Sequence, residues 1–389
     1  MGAHDGACIV GAYEHPTRKA PDKTLARLHA EVAAGALADA GLGFADVDGY
    51  FTSGDTPGHG PMGMAEYLGI RPRHVAAVDT GGSSYVIAVS HAAQAIAAGR
   101  CDVALITLAG RPRTGAFVAG EGAFLEDPEH PVTPYELPYG WNIVNLYALS
   151  AMRHMYEFGT TAEQLAWVKV AASHHAQHNE NAMLRKLVTV DDVLASPMIS
   201  DPLHRLDCCV ISDGGGAVVL ARPEIARELD RPVVAVRGAG EALQNGGGGR
   251  IDLVSTAGRR SSARAFEEAK LTPADVQYAS LYDSFTITVV MQLEDLGFCE
   301  KGKGGAFVAD GNLISGVGSL PVNTDGGGLC NNHPANRGGM TKVIEAVRQL
   351  RGEAHPAVQV PNCSIALAHG TGGYLSTRHG SGTVLLERI

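Results

Sequence analysis

A glycine-rich turn at the start of an apolar helix is the first place where residue type and position suggest chemistry. Segment 78–110 reads VDTGGSSYVIAVSHAAQAIAAGRCDVALITLAG, and its turn ends in Gly82, Ser83 and Ser84. A cysteine at such a helix start is a good nucleophile because the helix dipole lowers the pKa of its thiol. This turn holds no cysteine, and a serine there would need a dedicated base. The turn therefore predicts a site without a ready nucleophile.

A cysteine and several histidines elsewhere are the other candidates for chemistry. Cys330 lies three residues before His333, so the two could act as nucleophile and base, although packing is the favoured interpretation of Cys330. His174 and His178 are one helical turn apart, as two metal ligands can be. No acidic or cysteine ligand follows at a matching distance, so we predict a solvated helix face and no metal site.

The composition is typical of a globular protein with two domains or one large duplicated domain. The chain has 389 residues, of which 45% are hydrophobic and 19% charged. The formal charge of −10 is scattered along the chain, which argues against nucleic acid or an anionic membrane as a partner. Apolar runs end before a membrane-spanning length and the first residues lack a signal-peptide pattern, so we expect a cytoplasmic protein. The seven cysteines indicate free thiols, with Cys208 and Cys209 in the core.

Strands and helices alternate through the chain twice. In the first half, TLARLHAEVAAGALADAGL predicts a helix ended by glycine, and a helix from about Tyr85 to Ala98 is apolar on every side and therefore buried. Residues 111–145 begin a covering region that extends to about residue 205. The second half repeats the plan with a strand in YASLYDSF and a buried helix in RGGMTKVIEAVRQLRGEA. We predict an α/β fold of two pseudo-symmetric halves, 1–228 and 229–389, layered as an α/β/α/β/α sandwich.

Several segments together resemble the thiolase superfamily over essentially the whole chain. They are SSYVIAVSHAAQAIAAG with DVALITLAG, LDCCVISDGGGAVVLA, LYDSFTITVVMQLEDLGF, LPVNTDGGGLCNNHPANRGGM and VIEAVRQLRGE. They look most like the branch that contains the sterol carrier protein thiolases and the lipid-transfer-protein-like aldolases of steroid side-chain degradation. The resemblance implies the thiolase fold and an enzyme that acts on carbon–carbon bonds of CoA thioesters.

The resemblance also implies the site residues. Tyr282 of YDSF and His333 of NNHPANRGG fall where the family polarises a thioester carbonyl and moves a proton, and His369 of LAHGTGG falls near the second cysteine of ordinary thiolases. Gly82 takes the position of the acyl-accepting cysteine. Asp283 could orient its neighbour or cap the following helix. The substrate-binding positions implied in this way are Gly82, Ser83, Ser84, Asp283, Gly372 and Gly373.

Without an acyl acceptor, the chemistry that these residues favour is a retro-aldol cleavage. A β-hydroxyacyl-CoA would lose its hydroxyl proton to Tyr282 or His333, and the α–β carbon bond would break to leave a CoA-thioester enolate. The products are a ketone or aldehyde and a shorter acyl-CoA. The CoA thioester is the substrate, and we expect no bound cofactor.

The resemblance implies a homodimer through the first-half sheet and a small zinc-ribbon/OB-fold partner that completes the CoA channel, giving a heterotetramer. The aldolases of this branch carry a tyrosine where this chain has His333. A thiolase-type acyltransferase with another nucleophile, for which Cys330 is the candidate, therefore stays open. A non-catalytic acyl-CoA-binding scaffold is the second alternative.

Overall fold

Eleven strands and twelve α-helices lie in the residues that the computed structural model describes, which are 6–54, 56–115, 142–247, 250–334, 338–375 and 377–389. The strands are β1 Cys8–Glu14, β2 Gly49–Thr52, β3 His74–Ala77, β4 Val103–Gly110, β5 Met198–Ser200, β6 Leu203–His204, β7 Gly214–Ala221, β8 Val234–Gln244, β9 Tyr278–Leu281, β10 Ile365–Tyr374 and β11 Thr377–Arg388. The helices are α1 Leu25–Ala40, α2 Pro61–Leu68, α3 Ser84–Ala97, α4 Ile143–Phe158, α5 Ala162–Ala176, α6 Val190–Leu194, α7 Pro223–Glu228, α8 Gly258–Ala269, α9 Thr286–Asp295, α10 Gly304–Val308, α11 Gly327–Cys330 and α12 Gly339–Arg351.

Nine of these strands form one mixed sheet in which each half of the chain keeps its strands together. The order is β3-β2-β4-β7-β1-β8-β11-β10-β9, so five strands of the first half are followed by four of the second. The halves join where Cys8 and Ile9 of β1 pair with Ala235 and Val234 of β8. The predicted mixed α/β architecture is confirmed, whereas the domain division at 228/229 stays a prediction.

The two helices predicted to be buried, α3 and α12, lie in the middle of the molecule. Helix α3 packs against β2 and β4 of the first half and also against β8, β10 and β11 of the second, and α12 likewise contacts strands of both halves. One core cluster holds apolar residues of both helices and of strands from both halves. Helices α1 and α8 cover the opposite face of the sheet, in separate clusters. This layering places the starts of α3 and α12 side by side.

Local signals explain several element ends. The Thr24 side chain accepts a hydrogen bond from the Arg27 backbone and starts α1, and Gly41 ends it with a φ of 69°, as the sequence predicts. Most of the predicted covering loop lies outside the described residues. No helix among the described residues is long and apolar enough to span a lipid bilayer.

Candidate active site

Tyr282 and His333 meet edge to face beside the start of α3. Their ring centroids are 5.4 Å apart, with 72° between the ring planes. Tyr282 directly follows β9, where its backbone N–H donates to the His369 carbonyl at 3.0 Å. His333 follows α11, and its backbone N–H donates to the Ser212 hydroxyl at 2.9 Å. The structure thus brings together the two residues that the sequence proposed as the catalytic pair.

Gly82 lies against the Tyr282 ring so closely that no side chain fits. A Cβ built on Gly82 would lie 2.5 Å from Cζ and 2.6 Å from Cε2 of Tyr282, and it would also overlap the Thr371 carbonyl. Gly338 is less crowded, because its Cβ would lie 3.5 Å from both Tyr282 Cε2 and His333 Cδ2. The ring of Tyr282 therefore fills the volume that a cysteine side chain at position 82 would need.

The protonation states of the pair follow from burial. Burial lowers the pKa of His333 to about 4, although the nearby Asp283 carboxylate opposes this shift. Its Nε2 is shielded from solvent and has no hydrogen-bond partner among the described residues. Burial raises the pKa of Tyr282 well above its usual value, while a hydrogen bond from the Gly338 backbone acts in the opposite direction. At neutral pH the pair is a neutral imidazole beside a neutral phenol, so it can accept one proton and donate another.

The carboxylate of Asp283 is already bonded to neighbouring segments of the fold, and its substrate-binding role stays a prediction. Its carboxylate is buried and accepts hydrogen bonds from Gly328 N at 2.8 Å, Leu329 N at 3.1 Å and Lys342 Nζ at 2.7 Å. It does not cap α9 either, since the N-cap of that helix is Phe285. Asp283 instead holds the start of α11 and pairs with a buried lysine.

Ser83 and Ser84 are adjacent to the site, but their hydroxyl groups serve their own turn. Ser83 Oγ donates to the Thr80 carbonyl at 2.8 Å, and Ser84 Oγ donates to the Gly81 carbonyl at 2.6 Å. Both side chains are buried. The predicted substrate-binding turn thus offers its backbone and glycine surface, with both hydroxyl groups already bonded.

The His369 ring lies on the opposite face of β10 from Tyr282 and His333. Neighbouring Gly370 faces the site, because its Cβ would lie 3.0 Å from the Gly82 carbonyl oxygen. Successive side chains of a strand point to opposite faces, so His369 turns toward α8. There His369 Nδ1 lies 2.8 Å from Thr383 Oγ1, and Nε2 lies 3.3 Å from where a Cβ on Gly258 would sit. His369 is therefore not brought together with the predicted pair, and Gly370 occupies the site-facing position.

Gly372 and Gly373 continue β10 along the edge of the site. Gly372 approaches the Thr80 carbonyl too closely for any side chain. Gly373 has a φ of 77°, and its carbonyl accepts a hydrogen bond from the Tyr147 hydroxyl at 3.3 Å. Close approach of neighbouring backbone explains why both positions are glycine. The two glycines allow β10 to lie against the turn that carries Gly82.

Cys330 is fully buried at the end of α11 and packs in an apolar cluster with residues of α5 and α9. Burial raises the pKa of its thiol, and Lys169 only partly opposes this effect. Cysteine reacts as the thiolate, so this environment disfavours Cys330 as a nucleophile. The packing interpretation of Cys330 agrees with this placement.

Two groups near the pair escaped sequence analysis. Cys209 is half-buried in the segment before β7 rather than in a core strand, and it faces Tyr282 and Tyr147. Burial raises the pKa of the Cys209 thiol. Lys342 lies within a run that looked uniformly like a buried helix, and its pairing with Asp283 spans 59 positions of sequence. Neither the environment of the Cys209 thiol nor the Lys342–Asp283 ion pair could be predicted from neighbouring residues in the sequence.

The histidines at the end of α5 have other contacts. Among the described residues, no group of three or more histidine, cysteine or acidic side chains is arranged to hold a metal ion. His175, between His174 and His178 in sequence, is buried, and it contacts the Asn323 carbonyl and the Ser315 backbone N–H. The His178 ring stacks on His355 at 5.0 Å.

Comparisons of sequence and fold show which known proteins this chain is similar to. Residues 241–388 match the family model described as "Thiolase C-terminal domain-like". An acetyl-CoA acetyltransferase of Methanothermobacter thermautotrophicus is 35% identical over 355 residues, covering 88% of this chain and 90% of the relative. A steroid side-chain-cleaving aldolase of Thermomonospora curvata is 35% identical over 364 residues, covering 89% of this chain and 90% of the relative.

A solved structure described as "Ltp2-ChsH2(DUF35) aldolase" has the same fold. It superposes with a TM-score of 0.87 at 32% sequence identity and covers 99% of this chain and 98% of that chain. This solved structure therefore covers both halves of the chain, whereas the family model matches the second half.

Proposed function

Because this chain belongs to the thiolase superfamily, in the branch of the sterol carrier protein thiolases and lipid-transfer-protein-like aldolases, we propose that it cleaves a β-hydroxyacyl-CoA by a retro-aldol step. The observation that carries the proposal is the contact between Gly82 and the Tyr282 ring. A thiolase needs an acyl-accepting thiol, and here a phenol fills that space. Retro-aldol cleavage needs a base and an electrophilic donor and no covalent acyl-enzyme.

The neutral pair supports a specific division of labour. His333 Nε2 has a free lone pair in one tautomer and accepts the proton of the substrate β-hydroxyl group. The O–H electrons form the new carbonyl, the α–β carbon bond breaks, and its electrons enter the thioester as an enolate. The Tyr282 phenol donates a hydrogen bond to the developing enolate. The proton held by His333 then returns to the α-carbon, which releases a ketone or aldehyde and a shorter acyl-CoA.

The names of the relatives support a substrate class and a partner. One relative is named for steroid side-chain cleavage, and the similar solved structure is named as a complex with a DUF35 protein. The proposed substrate is the CoA thioester of a steroid or another bulky lipid or aromatic side chain, and the proposed partner is a small zinc-ribbon/OB-fold protein of the DUF35 type. Strand β3 ends the sheet and offers unpaired backbone groups for a homodimer, so the proposed assembly is a heterotetramer.

An acyltransferase is the second candidate, because one relative at 35% identity is named acetyl-CoA acetyltransferase. Such an enzyme would need a thiol in reach of the substrate. Cys330 is fully buried, and the pKa values of Cys330 and Cys209 are both raised. These facts favour the aldolase over the acyltransferase.

The two candidates differ in their need for free CoA and in the formation of an adduct. The purified protein, alone and with a DUF35-type partner, is mixed with a tertiary β-hydroxyacyl-CoA, and in parallel with acetoacetyl-CoA plus free CoA. We expect a carbonyl product from the first mixture without added CoA, and an unmodified intact mass throughout. Cleavage that requires CoA and leaves an acyl group on Cys330 or Cys209 would establish the acyltransferase instead.

A further inference from the structure

The backbone of His333 is held by a serine of the first half. The His333 N–H donates to Ser212 Oγ at 2.9 Å, and the Ser212 N–H donates to the His333 carbonyl at 3.4 Å. Residue 212 therefore bonds both backbone groups of the candidate proton acceptor. Ser212 is fully buried and lies 121 positions before His333 in the sequence, so this contact forms only when the two halves pack together.

His333 lies just beyond the end of α11, where the helix no longer supplies a partner for its N–H. The N–H groups of Asn331 and Asn332 both donate to the Gly327 carbonyl and close the last turn. The next N–H, that of His333, donates to Ser212 instead. A buried N–H without a partner costs free energy, so a helix end of this kind needs an acceptor from elsewhere. The place of His333 after α11 is therefore set by a first-half side chain.

A chain of hydrogen bonds continues from Ser212 and fixes the direction of its hydroxyl group. Ser212 Oγ donates to Asn332 Oδ1 at 2.6 Å, and Asn332 Nδ2 donates to Glu14 Oε1 at 3.0 Å. Burial alone would raise the pKa of Glu14, but two neighbouring guanidinium groups lower it to about 2, so the carboxylate can only accept. The amide oxygen of Asn332 then faces Ser212, whose hydroxyl proton points to it and whose lone pair is left for the His333 N–H.

Glu14 is a fixed end for this chain. It belongs to β1, its side chain is 5% exposed, and its carboxylate pairs with Arg18 at 2.7 Å and Arg348 at 3.0 Å. Arg18 also donates to the side-chain oxygen of Asn331 at 2.7 Å and to the carbonyl of Asn331 at 3.2 Å. First-half side chains thus hold three consecutive residues, of which His333 is the last.

The imidazole of His333 lies among glycines and one aromatic ring. A Cβ on Gly328 would lie 3.1 Å from His333 Cδ2, one on Gly338 would lie 3.5 Å from it, and Tyr282 packs edge to face against the ring. Nε2 has no hydrogen-bond partner among the described residues. The direction of Nε2 therefore depends on where the His333 backbone lies.

We propose that Ser212 is a positioning residue, which fixes the backbone of His333 so that Nε2 lies where it can accept the substrate proton. A reacting group must be placed within about 0.5 Å, and a displacement of about 1 Å can cost about 10²-fold in rate. The catalytic part of this inference rests on the proposed aldolase function, whereas the anchoring of the backbone concerns only the folded protein.

The anchoring is tested through amide hydrogen exchange at His333 in the intact protein. Protein with an isotope label only at its histidines is transferred to heavy water, and the His333 amide signal is identified by its loss in His333→Gln. Ser212→Ala should speed exchange at His333 by at least about tenfold, because the N–H loses its acceptor. Ser212→Thr keeps a hydroxyl group and should restore the protection. An unchanged exchange rate in Ser212→Ala would overturn the proposal.

The catalytic part is read from kcat and KM for a β-hydroxyacyl-CoA. Ser212→Ala should lower kcat by about tenfold to 10²-fold with little change in KM, and Ser212→Thr should recover most of that loss. Ser173 is a matched control, equally buried, whose hydroxyl donates to the Val170 carbonyl at 2.8 Å and accepts the Val188 N–H at 3.2 Å. Ser173→Ala should lose similar stability and keep its kcat. Equal kcat values in the two alanine variants would overturn the proposal.

A double variant tests whether the chain acts as one unit. Asn332→Ala removes the acceptor of the Ser212 hydroxyl and should also lower kcat; it gives the same two measurements where Ser212→Ala does not fold. Because both changes act through the His333 backbone, the double variant should lose no more kcat than the more impaired single variant. Losses that multiply would contradict the chain. If exchange at His333 speeds up in Ser212→Ala but the wild-type protein does not cleave the substrate, the anchoring stands and the aldolase function fails.

Discussion

The two buried helices begin at glycine-rich turns of similar design, but in the part of the chain that the structure describes the candidate acid–base pair, Tyr282 and His333, comes from the second half. At the start of α3, Ser83 and Ser84 bond to their own turn, and Gly82 carries no side chain. Near the start of α12 the chain places His333, and β9 adds Tyr282. The fold is duplicated, whereas the chemistry is not.

This asymmetry has a steric reason at the place where the halves meet. The Tyr282 ring of the second half fills the space above Gly82, and Gly339 at the start of α12 approaches the Gly82 carbonyl too closely for a side chain. The first half thus contributes backbone surface to a site whose acid–base groups come from the second. We therefore expect substitutions of the second-half site residues to lower the reaction rate, and substitutions at the first-half turn to disturb packing and lower stability.

The largest effect is expected from His333→Ala. General acid–base catalysis contributes about 10²–10⁴-fold, so kcat for β-hydroxyacyl-CoA cleavage should fall by that factor with little change in KM. His91 is a matched control on α3, where it pairs with Glu241 at the surface. Steady-state kinetics of both variants test the catalytic role of His333. An equal loss of kcat in His91→Ala would contradict that role.

Tyr282→Phe tests the second member of the pair while keeping the ring against Gly82. Loss of one oxyanion donor typically costs about 10²–10³-fold in kcat, so we expect a loss of that size with normal folding. Tyr278, on the strand that precedes Tyr282, is the control. Its hydroxyl accepts the Thr324 backbone N–H, so Tyr278→Phe should cost about 1 kcal/mol of stability and leave kcat unchanged. Near-normal turnover in Tyr282→Phe would contradict the proposed mechanism.

A packing loss in the first half is expected from Gly82→Ala. Its Cβ would meet the Tyr282 ring and the Thr371 carbonyl, and overpacking of this kind costs about 1–3 kcal/mol. Gly63 in α2 is the matched glycine, because the atoms nearest its Cβ would be 3.9 Å away, so Gly63→Ala should be neutral or stabilising by up to about 1 kcal/mol. Urea unfolding of the two variants separates these outcomes, and equal stabilities would show that position 82 has room for a side chain.

The sequence predicted the elements of the fold better than the direction of side chains. Uniform apolarity marked α3 as buried, and the two residues that the family motifs proposed, Tyr282 and His333, lie close together. The His369 ring points away from them because its neighbour Gly370 takes the site-facing position and side chains alternate between the two faces of a strand, so its catalytic role stays a prediction. The face of the sheet to which a single strand residue points depends on the register of the strand. In a glycine-rich stretch, the sequence has no alternating pattern of apolar and polar side chains from which that register could be predicted.

Long-range pairing was the other part that the sequence could not supply. Asp283 looked like a helix cap because it precedes α9, but its partners are the start of α11 and Lys342 of α12. The run that holds Lys342 was predicted as a buried helix, and nothing in it indicates which residue the lysine pairs with. The contacts of Asp283 form only after these segments pack together.

The misplaced histidine gives a smaller, pH-dependent prediction. His369→Asn should leave kcat within a few-fold and cost about 1 kcal/mol at pH 7 through loss of the contact with Thr383. Burial lowers the pKa of His369 to about 3, so the unfolded chain binds a proton there from about pH 6.5 downward while the folded protein does not. This residue therefore reduces stability as pH falls from 6.5 toward 3, by up to about 1.4 kcal/mol per pH unit.

That contribution is measured from the slope of unfolding free energy against pH. His369→Asn should flatten the acidic slope by up to one proton, whereas Gly63→Ala, which removes no titratable group, should leave it unchanged. An unchanged slope together with a large loss of kcat would return His369 to the catalytic site.

The smallest effect is expected from Cys330→Ser, and it decides between the two candidate reactions. The thiol is fully buried in the second half, next to Lys169, and a serine hydroxyl can accept the same hydrogen bond. Stability should change by about 1 kcal/mol or less and kcat by less than about twofold, since the site residues Tyr282 and His333 are untouched. Cys209→Ser is the parallel variant, because that thiol acts electrostatically on Tyr282 and contributes to its raised pKa. If either serine variant is inactive while Tyr282→Phe still turns over, a thiol carries the reaction, in the second half for Cys330 and in the first half for Cys209.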